Sequence, residues 1–308
     1  MAFSSNEGVS GIRRERKNVK QTSADNVCVP AHLSEVCRIS FNCSFQIVPW
    51  KGINKMSITV TGCIVTYNNM STIDNAVGSL LKCTEVPFRL FVVDNGSTDG
   101  TIEHIEKNYP EVTLIRSGGN IGFGKGHNLI MDKLDSDYHV IINPDIIVKD
   151  DVISKLVSFL EENKDIGMAS PEIRFPDGRL QILGKRTPCL KYLVASRLRG
   201  SGEPSSILRE YAMLDCDLSN PLDIENATGC FMFIRTALFK EIGGFDKRYF
   251  MYFEDSDLTR EVNKRCRTVY YPKATVYHEW GRESKKNFKL KLVQINSMLN
   301  FFAKWGLK

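Results

Sequence analysis

Apolar and polar positions along the chain follow two periods. From Met56 onward, short β-rich apolar runs at 58–66, 89–93, 112–115 and 140–142 take turns with segments of helical spacing at 71–82, 100–108 and 123–134. A short apolar run bounded by turn residues fits a strand buried on both faces, and strands alternating with helices predict βαβ units. The predicted fold is α/β: a doubly wound, Rossmann-like, mostly parallel sheet flanked by helices, in a single domain over about 56–280. Each predicted strand ends in polar or glycine-rich residues: Thr66-Tyr67-Asn68-Asn69, Asp94 to Gly100, Ser117-Gly118-Gly119-Asn120 and Asn143-Pro144-Asp145. Sheets of this type bind ligands outside the carboxyl ends of their strands, so four polar ends on one edge predict a nucleotide-sized crevice.

The flanks do not share this rhythm. Residues 1–55 carry the charged run Arg13-Arg14-Glu15-Arg16-Lys17 and no strand pattern, which reads as a disordered arm or as an extension foreign to the native reading frame. At the other end, Phe288, Leu292, Ile295, Leu299 and Phe302 recur at helical spacing among Lys285, Lys286, Lys289, Lys291 and Lys304, so 281–308 is predicted to be a basic amphipathic helical tail. Packing on the domain is its simplest use. Met298, Phe301 and Trp305 widen the apolar face, however, and a basic apolar helix also suits peripheral contact with an anionic membrane.

Composition adds bounds. A chain of 308 residues at 42% hydrophobic can bury a full core. Its net charge of +5 is unevenly divided: 1–55 holds eight basic and four acidic residues, 282–308 holds seven and one, and the middle is left at about −5. No nucleic acid is expected as a partner. No apolar stretch approaches the ~20 residues of a membrane span, and Met1 to Glu7 lacks an apolar signal core. The expected location is cytoplasmic, or peripheral on the inner face of the cell membrane. Nine scattered cysteines, with Cys63, Cys83 and Cys230 in predicted core elements, read as reduced thiols, and Cys28, Cys37 and Cys43 lack the close Cys-x-x-Cys pair of a zinc site.

Two acidic clusters about 110 residues apart carry the chemistry: Asn143-Pro144-Asp145 and Glu254-Asp255-Ser256-Asp257. One carboxylate for a metal and one for catalysis suit transfer of a phosphate-activated group. Each has a plainer alternative. Asp145 could precede a helix N-cap, although Asp150 is better placed for that, and the acidic residues at 254–257 would favour the macrodipole of a helix over 253–266. Asp257 could also pair with Arg248 or Arg260. Asp94, Ser97 and Asp99 could build an Asx turn and cap the next helix, and Asn120 to Gly126 could be a tight turn rather than a backbone cradle for ribose or diphosphate.

Taken in order, Thr66-Tyr67-Asn68, Asp94-Asn95-Gly96-Ser97-Thr98-Asp99-Gly100-Thr101, Asn120-Ile121-Gly122-Phe123-Gly124, Asn143-Pro144-Asp145 and Gly243-Gly244-Phe245-Asp246 before Tyr252-Phe253-Glu254-Asp255-Ser256-Asp257-Leu258 resemble glycosyltransferase family 2, in its rhamnosyltransferase-like branch. The likeness covers roughly 56–290. It implies a GT-A fold, a nucleotide-diphospho-sugar donor, a divalent cation (Mg2+ or Mn2+) and inversion at the anomeric carbon. Carried over residue by residue, it places Thr66, Tyr67, Asn68, Asp94, Asn120, Gly122, Asn143 and Arg282 at the donor, with Asp94 accepting from the pyrimidine N3–H and Arg282, beside Lys285, facing the diphosphate. Asp145 and His278 would hold the cation, and Asp255, supported by Glu254, would be the base. His278 and Arg282 could equally be a surface imidazole and a solvated charge. Asn143 stands where the family more often has aspartate, which weakens the metal set by one charge.

The Gln-x-x-Arg-Trp signature of processive synthases is absent after Glu254, so one sugar per encounter is expected. The implied reaction is transfer of L-rhamnose from dTDP-L-rhamnose, or of a hexose from a UDP-hexose, to a saccharide or lipid-linked saccharide precursor of a cell-surface polysaccharide. A nucleotidyltransferase would want a glycine-rich basic loop where Thr66-Tyr67-Asn68-Asn69-Met70 stands. A non-catalytic sugar-nucleotide-binding paralogue would not need both Asp145 and Asp255.

Overall fold

Strand β1 (Val60–Thr66) is buried at every position, as an apolar run without polar alternation requires of a central parallel strand. In the computed structural model, which describes residues 57–198, 202–279 and 288–307, it pairs in parallel with β2 (Phe88–Asp94) and β4 (Tyr138–Ile142), and β3 (Thr113–Arg116) extends the sheet beyond β2. The predicted arm 1–55, and Arg282 and Lys285, lie outside the described residues. Helix α1 (Ile73–Cys83) follows β1, α2 (Thr101–Asn108) follows β2, and α3 (Phe123–Asn128) follows β3. The register sets Thr66 beside Asp94 and Asp94 beside Arg116, so the strands end together.

The second half departs from the simple parallel pattern. After β5 (Ile146–Ile147) come α4 (Val152–Glu162), β6 (Ile166–Arg174), α5 (Leu190–Leu198), α6 (Ser206–Tyr211), β7 (Leu222–Asp223), β8 (Phe231–Arg235), α7 (Thr236–Ile242), α8 (Glu254–Asn263), β9 (Arg267–His278) and α9 (Phe288–Trp305). The strand order is β3-β2-β1-β4-β8-β6-β9-β5, with β7 on β9. Strand β8 runs antiparallel between β4 and β6, and β9 returns parallel to β6. The sheet is thus parallel where the sequence rhythm is regular and mixed elsewhere. Alternate β1 residues feed two cores: Val60 and Ile64 meet α1 and α4, while Cys63 and Val65 face the side closed by α7 and α8. Cys63, Cys83 and Cys230 are free thiols, the first and last buried. Helix α3 ends at Asn128, short of the expected 134, because two of its six residues are glycine and the Asn128 amide turns to the Phe245 backbone. The cap of α4 is Asp151, one residue after the expected Asp150, and it accepts from Ser154 N–H at 3.0 Å.

Two histidines sit inside the second core. His139 on β4 and His127 on α3 have no exposed surface; His139 Nδ1 donates to Thr61 O at 3.0 Å, while His139 Nε2 and both His127 nitrogens have no hydrogen-bond partner. Burial holds His139 down at about 4, and burial first, then the neighbouring His139, holds His127 well below its ordinary value. Both are therefore neutral when folded and protonate on unfolding below about 6.5. The unfolded chain binds more protons there, so stability falls as pH drops from about 6.5 to 4. His139 alone accounts for about 3 kcal/mol of that fall. Thermal midpoints from pH 7.5 to 4.5 should decline steeply in the wild type and less in His139→Gln; equal slopes would show that the acid sensitivity lies elsewhere.

Helix α9 packs on the domain through Phe301, Phe302 and Ser297, whose Oγ donates to Met251 O at 2.8 Å. Its anchor is Asp257. That buried carboxylate accepts from Trp305 Nε1 (2.6 Å), Lys304 Nζ (2.9 Å) and Tyr249 OH (3.1 Å). The expected pairing of Asp257 with Arg248 or Arg260 does not form: Arg248 is held by Asp246, and Arg260 lies over the Trp305 ring. One residue of the second acidic cluster is thereby committed to packing. Met298, Phe301 and Trp305 turn inward, whereas Phe288, Leu292, Ile295 and Leu299 face out.

Candidate active site

The carboxyl ends of β1 and β4, the first turn of α8 and the end of β9 surround an open cleft of about 840 Å³, a volume suited to a nucleotide-sized ligand. On one side the loops after β1 and β2 are laced together. Asn68 N–H donates to Ser97 Oγ (2.9 Å), Asn68 Oδ1 accepts from Thr98 N–H (2.8 Å), and Asp99 Oδ2 accepts from Met70 N–H (3.0 Å). Asn68 has φ 55°, a left-handed conformation that asparagine tolerates. This lacing fixes Thr66, Asn68 and the half-exposed Tyr67 along the cleft. Asp99 and Ser97 serve the lacing; the N-cap of α2 is Gly100.

Two expected donor residues lie behind this wall. Asp94 is buried, its Oδ2 accepting from Gly96 N–H (3.1 Å) and its Oδ1 from Ser97 N–H (2.9 Å), which is the Asx turn; its neighbour Asn95 lines the cleft. Gly122, at φ 94°, lets the chain pass against Phe250, whose carbonyl oxygen would stand 2.2 Å from an added Cβ. The Gly122 N–H is satisfied by Asn120 Oδ1 and the Phe123 N–H by Phe250 O. The glycine-rich turn is therefore a close-packing device, and Asn120 and Phe123 are its cleft-lining members.

Asn143 and Asp145 reach the cleft from the end of β4. Antiparallel pairing sets Ile146 opposite His278 and so brings Asp145 Oδ1 to 3.3 Å from His278 Nε2. Gln181 Nε2 donates to His278 O at 2.6 Å, which turns Gln181 Oε1 toward His278 Nδ1 at 3.1 Å. An acceptor there requires the proton on Nδ1, leaving Nε2 directed at Asp145. A carboxylate oxygen converging with an imidazole nitrogen whose other nitrogen is anchored by an amide is a donor set that fits Mg2+ or Mn2+. Among the described residues no three acidic, histidine or cysteine side chains cluster in a metal-binding group.

Across the cleft, α8 starts from strain. Tyr252 and Phe253 have φ 72° and 68°, which bulky residues adopt only under constraint. The preceding Phe250 is clasped by the Gly122–Phe123 turn, so the two loops together aim the first turn of α8. Asp255 Oδ2 accepts from Gly229 N–H (2.9 Å) and Oδ1 from Ser256 N–H (2.7 Å). Glu254 is 6% exposed and its Oε2 has no hydrogen-bond partner. Burial, then the charge of Asp255, pushes Glu254 up to about 8. Burial raises Asp255 too, but the two N–H groups oppose that and favour its charged form. The N–H groups make Asp255 the more readily ionised of the two, a pair of carboxylates separated by their surroundings.

Sequence reasoning did not single out Gly229 or Gln181, which hold Asp255 and His278. It also missed the far wall of the cleft, where Pro188, Leu193, Tyr211 and Gln294 stand. Tyr211 packs so tightly on Gly184 that an added Cβ would meet its ring at 2.0 Å, and it stacks on Tyr192 with centroids 4.6 Å apart. An aromatic and apolar wall beside a carboxylate suits a saccharide. Arg282 lies outside the described residues.

The model for Glycosyl transferase family 2 matches residues 62–243. The chain is 29% identical over 226 residues to an N-acetylglucosaminyl-diphospho-decaprenol L-rhamnosyltransferase of Mycobacterium tuberculosis, a match that covers 70% of this chain and 74% of that one. It is 26% identical over 216 residues to the rhamnosyltransferase WbbL of Escherichia coli, covering 68% and 78%. Among solved structures it resembles the mannosyltransferase PcManGT of Pyrobaculum calidifontis, in complex with GDP-Man and Mn2+, with TM-score 0.57 and 17% identity, over 81% of this chain and 64% of that one. It also resembles GalNAc-T7 with UDP, GalNAc and Mn2+, with TM-score 0.56 and 15% identity, over 81% and 51%. At such identities these structures establish the GT-A fold.

Proposed function

The chain belongs to glycosyl transferase family 2, and from that premise we propose that it transfers L-rhamnose from dTDP-L-rhamnose, with inversion, to a lipid-linked saccharide precursor of a cell-surface polysaccharide. The observation that carries this reading is that one cleft is lined by both a cation-fitting pair, Asp145 and His278, and a carboxylate, Asp255, held by backbone N–H groups. The relatives named as rhamnosyltransferases support the sugar, and the one named for a decaprenol-linked acceptor supports the lipid.

In this reading Thr66, Tyr67, Asn68 and Asn120 line the donor half, with Asp94 keeping the loop that carries Asn95 in shape. Asp145 and His278 would hold a divalent cation, which would supply positive charge to offset that of the diphosphate leaving group. Asn143 adds a neutral oxygen to that end of the cleft. Asp255 takes the proton from the acceptor hydroxyl as that oxygen attacks the anomeric carbon. Glu254, carrying a proton at neutral pH, keeps a second negative charge out of the space beside the base. The Tyr211 wall receives the acceptor sugar.

Donor hydrolysis and transfer measured across dTDP-L-rhamnose, UDP-glucose, UDP-N-acetylglucosamine and GDP-mannose, with Mn2+ present, test the donor. Turnover with dTDP-L-rhamnose at least ~10-fold above the others is expected, the discrimination one well-placed set of sugar contacts gives. Activity restricted to a UDP-hexose would overturn the donor and leave the mechanism standing.

A further inference from the structure

Helix α9 wears its apolar stripe on the outside. Phe288 is 72% exposed, Leu292 52%, Ile295 42% and Leu299 59%, at the 4-3-4 spacing of one helix face. The opposite face is the one that packs inward through Ser297 and Phe301. Helix α5 lies alongside: Leu193 packs with Phe301 and Phe302, and Arg197 donates to Gln294 Oε1 at 2.9 Å. Its Val194 and Leu198 are exposed as well. Scattered apolar side chains on a surface need no explanation, but a contiguous apolar band over two neighbouring helices marks an interaction surface.

We infer that this band is a docking surface for an anionic bilayer, and that it sets the acceptor side of the cleft against the lipid headgroups. Three observations choose the occupant. Neither α5 nor α9 contains an acidic residue, and Lys289, Lys291 and Arg197 accompany the band, so its charge complements anionic lipid and would repel a second copy of itself. The same two helices supply Leu193, Leu290 and Gln294 to the cleft, so whatever covers the band sits at the mouth of the site. No helix among the described residues is long and apolar enough to cross a membrane, so α9 lies on the bilayer rather than through it. The inference rests on the proposed lipid-linked acceptor: an isoprenoid tail buried in the bilayer would present its saccharide at headgroup level, where this surface places the Tyr211 wall.

The test is flotation of the full chain with vesicles of phosphatidylcholine alone or mixed with phosphatidylglycerol. Wild type should float with the mixed vesicles, and less so as salt rises. The triple variant Leu292→Glu, Ile295→Glu, Leu299→Glu should bind at least about tenfold more weakly, and Lys289→Glu with Lys291→Glu should remove the salt-sensitive part. Transfer to a short-chain, water-soluble acceptor should be unchanged in the triple variant while transfer to a long-chain acceptor in vesicles falls. Wild type that leaves both vesicles unbound, or a triple variant that floats as well as wild type, would overturn the inference. So would a wild-type dimer that leaves both vesicles unbound and becomes monomeric in the triple variant. Wild type that floats but transfers no sugar would refute the proposed reaction and leave the surface standing.

Discussion

Replacing Asp255 by Asn should lower turnover at least ~100-fold, the usual scale for a positioned general base, while donor affinity stays within about twofold. Asn keeps the size of the side chain and a carbonyl oxygen to accept the Gly229 N–H, giving up only the contact with the adjacent Ser256 N–H, so α8 should keep its place. What is lost is the basic oxygen. Replacing Glu254 by Gln should do much less, no more than about tenfold, because burial already keeps Glu254 protonated up to about 8 and Gln mimics the neutral acid. The stability readout separates the two as well. A carboxyl raised in the folded state is charged in the unfolded chain above about 4.5, so its contribution is lost as pH rises toward 8. Glu254→Gln should therefore raise the thermal midpoint near pH 8 by several degrees and leave it nearly unchanged near pH 4. Transfer rates and melting curves for both variants decide the matter. A dead Glu254→Gln beside an active Asp255→Asn would exchange their roles.

The part of the molecule legible in the sequence is the part built from local pairings. Strands 58–66, 89–93, 112–115 and 140–142 announce themselves because β1, β4 and most of β2 are buried on both faces, and each strand down to the edge strand β3 is joined to its neighbour by a short helix, so apolar run and polar end are both preserved. Strands β6 and β8 carry no such signature. Strand β6 contains Gly167 and Pro171 and shifts register against β9 between Pro171 and Glu172, and β8 finds its partners β4 and β6 tens of residues away. The ends of the site were visible for the same reason: Asp145 follows a clean strand, and Glu254 and Asp255 open a helix. Their supports were not. Gln181 meets His278 across 97 residues and Gly229 meets Asp255 across 26, and neither contact leaves a period or motif in the chain. The division of labour in the second acidic cluster was equally hidden, since Asp257 and Asp255 differ only in which way the helix turns them, one toward Trp305 and Lys304, the other toward the cleft. The outward stripe of α9 could not be read either, because its inward face is also apolar and only packing decides between them.

Replacing Asp145 by Ala should abolish the gain in donor affinity that Mn2+ confers, while leaving the fold intact. The expectation rests on charge. A sugar diphosphate entering the cleft faces Asp145 and the α8 carboxylates, and a divalent cation is what turns that repulsion into attraction. His278 Nε2, directed at Asp145 by the Gln181 amide, can offer a nitrogen lone pair but no negative charge. With Asn143 also neutral, Asp145 is the sole formal negative charge in the strand-end set Asn143, Asp145 and His278, so its loss should cost more than the loss of any one ligand in a site rich in aspartates. The fold should tolerate the change, since the Asp145 backbone oxygen, not its side chain, accepts the Glu279 N–H that ties β5 to β9. Calorimetric titration with dTDP, with and without Mn2+, provides the measurement. Wild type should bind at least ~10-fold more tightly with Mn2+, and Asp145→Ala should bind equally weakly in both conditions. His278→Ala should fall between them, because diphosphate oxygens and water can take its place on the ion. Equal, metal-enhanced affinity in wild type and Asp145→Ala would remove Asp145 from the cation site, and with it the reading of β4's polar end as the place where the donor diphosphate is held.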